Sequence, residues 1–199
     1  MPTSDVTASP PSGAAATSTA KVTVSPEEFT FVKYDAAVIA AIVAELAEQL
    51  EIANPISVVV DEATPLAKVY EEIEAASSDA TITLHAESGA LEDRKHPMSF
   101  SATGAREALG RVLLRAHDRM RADFADAPAD LELTLEENAA WDTYCAGRLE
   151  RMGVETNQQR WRYNHRNRFG FHDGVDAAFD ALWAADDLGW SEVVSTAGG

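Results

Sequence analysis

Between residues 148 and 172 the chain sets six arginines, Arg148, Arg151, Arg160, Arg162, Arg166 and Arg168, among Trp161, Tyr163, His165, Phe169, Phe171 and His172. Guanidinium groups interleaved with aromatic rings suit anion recognition, because the planar fork of donors matches a carboxylate or phosphate and the rings add rigid contact area. The surroundings sharpen the contrast: the formal net charge is -17, yet residues 145–172 carry six basic and only two acidic groups. A basic island in an acidic chain predicts a surface formed by Arg148, Arg151, Arg160, Trp161, Arg162, Tyr163, His165, Arg166 and Arg168 that docks an acidic protein or an anionic ligand. The opposing reading is neutralisation from within by Asp173, Asp176, Asp180, Asp186 and Asp187, since fixed acids of the same chain cost less entropy to recruit than a partner.

The same stretch can be read for nucleic acid. Residues 141–168 run helix, Gly153-Val154, then a second helix opened by Thr156, the order of a helix-turn-helix, with Asn157, Gln158, Gln159 and Arg160 as base readers and Arg162, Arg166 and Arg168 on phosphates. The buried aliphatic side chain expected about six residues after the turn glycine falls on Gln159. The acidic remainder of the chain would also repel a duplex, so an acidic partner is the expectation and DNA the alternative.

Histidine offers a third chemistry. His85, His96 and His117 could ligate a metal for hydrolysis, but no two stand one helical turn apart as in H-x-x-x-H, the spacing by which two ligands share an ion. The expectation is therefore no metal and no cofactor, with a metal-dependent hydrolase on these three histidines as the alternative. Cys145, the single cysteine, excludes an internal disulfide and reads as a small core residue. Arg111, Arg115 and Arg119 share one helical face and repel one another unless acids compensate; the Glu-rich stretches 45–51 and 71–74 are the expected partners. Asp61 and Glu62 follow a strand, where α/β proteins often place catalytic acids, but no partner group accompanies them. Neither a glycine-rich phosphate loop nor a G-x-S-x-G elbow is present, and the chain reads as non-enzymatic.

These residues must be positioned by an α+β fold, a small sheet with packed helices followed by a C-terminal helical subdomain. Residues 35–52 and 104–124 have apolar side chains at helical spacing, through Ile39, Ile42, Val43 and Leu46 in the first and Leu109, Val112, Leu113 and Ala116 in the second. The β-branched run 56–60 predicts a buried central strand and 81–86 a second strand, while 22–32 predicts a short extended or hairpin region. Thr64-Pro65 followed by Leu66, Val69, Tyr70 and Ile73 predicts another helix over 64–74. Thr134 with Glu137 and Thr156 with Gln159 predict capping boxes, and Asp173 with Asp176 a third helix start. Pro128 within 125–130 marks a boundary between an α+β domain at 21–126 and a helical subdomain at 131–190, with disordered tails at 1–20 and 191–199.

Over residues 35–124 this order of helix, strand, Leu66/Tyr70 segment, strand, polar loop and helix resembles the minimal zincin-like metallopeptidases. Their H-E-x-x-H would fall on Leu114, Arg115, Ala116, His117 and Asp118. The resemblance thus implies a degenerate member, in which both metal-ligand positions and the general-base position are replaced.

At 199 residues and 46% hydrophobic the chain can bury a substantial core. No apolar run approaches the roughly 20 residues of a membrane span. The first twenty residues lack the basic start and apolar centre of a secretory signal, which with the lone cysteine predicts a cytoplasmic protein. Four lysines against twelve arginines suit a GC-rich bacterial or phage genome.

Overall fold

The computed structural model describes residues 20–74, 77 and 79–198, so the tail expected at 1–20 lies, apart from Ala20, outside the described residues. A mixed four-stranded sheet has the order β1 (Val22–Ser25), β2 (Ile56–Asp61), β4 (Ile82–Glu87), β3 (Val69–Ile73). β2 lies at the centre, parallel to both neighbours, and β3 closes one edge antiparallel to β4. The β-branched run of β2 belongs there: Ile56, Val58 and Val60 are buried on one face, as are Ile82, Leu84 and Ala86 of β4. Helices α1 (Ala36–Gln49) and α2 (Ala102–Arg119) cover that face. They start where short polar side chains stop the extended chain, Asp35 accepting hydrogen bonds from the Ala37 and Val38 amides and Ser101 from that of Gly104.

Between β4 and α2 a single 3-10 turn, Ser88–Ala90, precedes a small hairpin of β5 (Glu92–Asp93) and β6 (His96–Phe100). The second half is helical, as expected: α3 (Leu135–Arg151), α4 (Gln158–Phe169), α5 (Asp173–Ala184) and α6 (Trp190–Ala197). The capping box of Thr134 and Glu137 opens α3. Asn157, rather than Thr156, caps α4, while α5 begins after His172 with no side-chain cap. α3 is the hub, packing on α2, α4, α5 and α6. At Gly147 it passes so close to the Trp183 carbonyl of α5 that a β-carbon would overlap it.

The α+β class read from the sequence is the class observed, with three departures in detail. Residues 64–74 are not helical. Thr64 sits in a turn held by Asp61, which accepts from the Ala63 amide and the Thr64 hydroxyl, and Val69–Ile73 pairs along its whole length with β4. Valine, tyrosine and isoleucine suit a strand as readily as a helical face, and pairing decided between them. Of the two alternatives for residues 22–32, extended or hairpin, the extended one holds at Val22–Ser25, where β1 pairs in parallel with β2. The stretch expected as a tail at 191–199 contains most of α6, whose Val193 and Ala197 are buried. Nor is the core divided at 125–130: Ile39, Val58, Leu84 and Leu113 belong to one cluster with Trp141, Tyr144, Leu149 and Val193.

Candidate functional site

The largest concentration of charge lies not on the surface but between α2, α3 and β3. Arg111, Arg115 and Arg119 share one face of α2, as their spacing predicts, and each meets an acid. Arg111 pairs with Asp142 of α3; Arg115 reaches Asp142 at 2.8 Å and Asp130 at 3.2 Å; Arg119 pairs with Glu71 of β3 and with Asp130 at 3.1 Å. Of the acids expected from the sequence only Glu71 takes part, and Glu45 pairs instead with Arg106. The Arg115 and Arg119 guanidiniums stack 5.2 and 4.9 Å from the Trp141 ring. Burial pushes the Glu71 carboxyl up to about 7 even though Arg119 pulls it down.

Arg148 belongs to this interior and not to a docking surface. Both of its terminal nitrogens reach the fully buried Asp118 carboxylate, at 2.8 and 2.5 Å, and the Trp141 indole N–H donates to the same group at 2.9 Å. Asp118 and Arg115 are two of the positions onto which the metallopeptidase resemblance projects its motif, and both are spent on structural ion pairs.

Much of the remaining island is neutralised from within. Arg151 grips Asp186 at 2.7 Å and the carbonyls of Trp183 and Ala185; Arg162 pairs with Asp180, and Arg166 with Asp176 at 2.5 Å. Asp187 joins Arg121 instead, at 3.1 Å. Trp161 and His165 are core residues at 6% and 0% exposure, which removes them from the expected binding surface. The Trp161 indole N–H donates to Glu107 at 2.6 Å, and His165 Nε2 lies 3.1 Å from the Ala197 carbonyl. Of the expected surface Arg151, Arg160, Tyr163 and Arg168 remain exposed, Arg151 held by Asp186 and Tyr163 in an edge-to-face pair with Phe171.

Two alternative chemistries lose their geometry here. The Asn157 side chain accepts the Arg160 amide at 3.0 Å as the cap of α4, so it is not free to read a base edge, and Arg162 and Arg166 are committed to acids rather than phosphates. The three histidines are not gathered. His85 pairs with Glu72 at 3.2 Å, His96 with Asp93 at 2.9 Å, and His117 Nδ1 is enclosed without a partner. Among the described residues no group of three His, Cys, Asp or Glu side chains is placed to hold a metal ion. Burial pushes the Cys145 thiol up to about 12, in keeping with a core residue.

A cleft of about 650 Å³ opens between the β5–β6 hairpin, the start of α2 and the start of α4. Arg94, Lys95 and Arg160 line it, and a recess of about 80 Å³ reaches inward to Arg111 and Trp161. The Trp161 ring carries the Arg111 guanidinium 4.8 Å from its centre and that of Arg160 at 5.9 Å. Burial, followed by the like charge of Arg94, pushes the Arg160 pKa down against the pull of Glu107. Four of the cleft's five carboxylates are engaged: Glu92 by the Met98 amide, Asp93 by His96, Glu107 by Trp161 and Glu150 by the Trp183 indole. Arg94 and Lys95 were not singled out from the sequence. They sit in a polar hairpin with no periodicity, and only the fold brings them opposite Arg160.

No helix of the described residues is long and apolar enough to cross a membrane. Comparison with protein-family models, characterised proteins and solved structures finds no match to this chain.

Proposed function

We propose that this protein is a non-catalytic binding module that takes an acidic partner into the cleft between the β5–β6 hairpin and the start of α4. One observation carries the reading. Among the described residues nine of the twelve arginines are ion-paired; the three that are not are Arg94, Arg160 and Arg168, and two of those line this cleft. In a chain with 33 acidic residues a compensating carboxylate is easily supplied. Cations left without one, with Arg94 close enough to add to the burial that lowers the Arg160 pKa, favour an anion from outside.

The partner surface is therefore the lip of the arginine-rich segment together with Arg94 and Lys95, not the whole of 148–172. Fluorescence anisotropy of a labelled poly-glutamate peptide tests this. Binding should weaken as salt rises, and an Arg94→Ala/Arg160→Ala double variant should lose about tenfold in affinity or more, with its melting temperature within a few degrees of the parent. Equal binding by parent and double variant, or no binding by either, overturns the proposal.

A further inference from the structure

We infer that the cleft holds a phosphoryl subsite, in which Arg94 and Arg160 grip the phosphate of a phosphorylated protein segment. The inference rests on the binding reading above and names the chemistry of its ligand. Two exposed guanidiniums without acid partners line one side of the cleft and α4, and a guanidinium fork matches phosphate oxygens two at a time. Lys95 adds a third cation.

The backbone supports the same charge. The opening turns of α2 and α4 both line the cleft, through Ser101, Thr103 and Gly104 on one side and Asn157, Gln158 and Gln159 on the other. Each cap satisfies one amide, Gly104 by Ser101 and Arg160 by Asn157, which leaves the preceding amides of each first turn without an intrahelical partner. Neither first turn contains an acidic residue, whereas those of α3, α5 and α6 do. Acids placed there would complement the positive end of the helix, and their absence at these two ends leaves that complement to a ligand. Thr156 lies on the same wall, and its Oγ1 is enclosed with no hydrogen-bond partner.

Against these groups the lining holds five carboxylates to three cations, and hydrogen bonds from the neutral amide and indole donors to Glu92, Glu107 and Glu150 cancel none of their charge. The one of the five that makes no hydrogen bond or ion pair among the described residues is Glu155. Its charge opposes any anion. It therefore gives the inference a signed test, because removing it should strengthen binding.

Isothermal titration of the full chain at fixed ionic strength provides the measurement, using inorganic phosphate, a phosphoserine peptide, the same peptide unphosphorylated and poly-glutamate. The phosphoserine peptide should bind about tenfold tighter than its unphosphorylated form, and inorganic phosphate should compete with it. Arg94→Gln and Arg160→Gln should each weaken the phosphopeptide by about tenfold, Glu155→Gln should tighten it, and affinity should rise between pH 5 and 7.5 as the phosphate takes its second charge at about 6. If poly-glutamate binds and phosphate neither binds nor competes, the phosphoryl subsite is wrong while the acidic-partner reading stands. If no anion binds, both fall. Phosphopeptide binding unchanged in Arg94→Gln/Arg160→Gln would remove the subsite from this cleft.

Discussion

Asp118 and Arg148 show how one residue pair can reverse a functional expectation. In the sequence Arg148 is the first cation of a basic island; in the structure it answers a carboxylate with no exposure at all, thirty residues earlier on α2. Removing one partner strands the other charge in the core. Arg148→Ala should therefore cost about 3–5 kcal/mol in a urea titration, whereas Arg160→Ala, at an exposed site without an ion pair, should stay within about 0.5 kcal/mol. Comparable effects of the two substitutions would mean that the island is a single surface after all. The sequence showed that the arginines needed anions and named Asp176, Asp180 and Asp186 among the suppliers. It could not show which arginines would be left over, because that depends on distances between segments far apart in the chain.

At the scale of elements, the strongly periodic helices were legible and the strand β3 was not. Val69, Tyr70 and Ile73 satisfy a helical stripe and a pleated edge equally well, and no local signal separates the two. The consequence reaches the charged interior, because as a strand the segment delivers Glu71 to Arg119. Glu71 has its pKa raised to about 7, so the native state holds a proton that the unfolded chain releases near 4.5. Its contribution is complete below the unfolded value and is lost as pH rises through the folded one, on the order of 3 kcal/mol in total and about 1 kcal/mol between pH 6 and 8. His117 and His165, held neutral by burial, act in the opposite sense, losing stability as pH falls below the ordinary histidine range. Between pH 6 and pH 8 the parent's urea midpoint should therefore drop more, or rise less, than that of Glu71→Gln, the difference being the Glu71 contribution. A variant with the parent's slope would show that another group titrates. The short α6 escaped the sequence reading for a different reason: Trp190, Val193 and Ala197 keep helical spacing, but eight residues followed by two glycines look like a fraying terminus.

For the molecule as a whole, the polar stretch at 125–130 has the composition of a linker but does not separate two bodies. Across it run the Asp118–Arg148 pair and the indole bond from Trp141 to Asp118, and Arg115 and Arg119 tie Asp130 of the stretch itself to α2. Phe124, just before the boundary, packs at 5.2 Å on Trp141 and at 6.3 Å on Trp190, both beyond it. The apolar face of α2 is thus shared between the sheet and α3, and neither half can bury its surface alone. The four tryptophans all lie in the second half, at 141, 161, 183 and 190, and every strand lies in the first, so the two halves report separately. Unfolding in urea followed by tryptophan fluorescence should coincide with unfolding followed by the amide hydrogen exchange of β2 and β4, as a single cooperative transition requires. A chain cut to residues 20–126 should show no cooperative transition, because α2 would lose α3, whose Leu149 packs at Gly110 and whose Trp141 and Arg148 bond the buried Asp118. Separated midpoints, or a stably folded 20–126 fragment, would restore the two-unit organisation that the proline-bearing segment suggests.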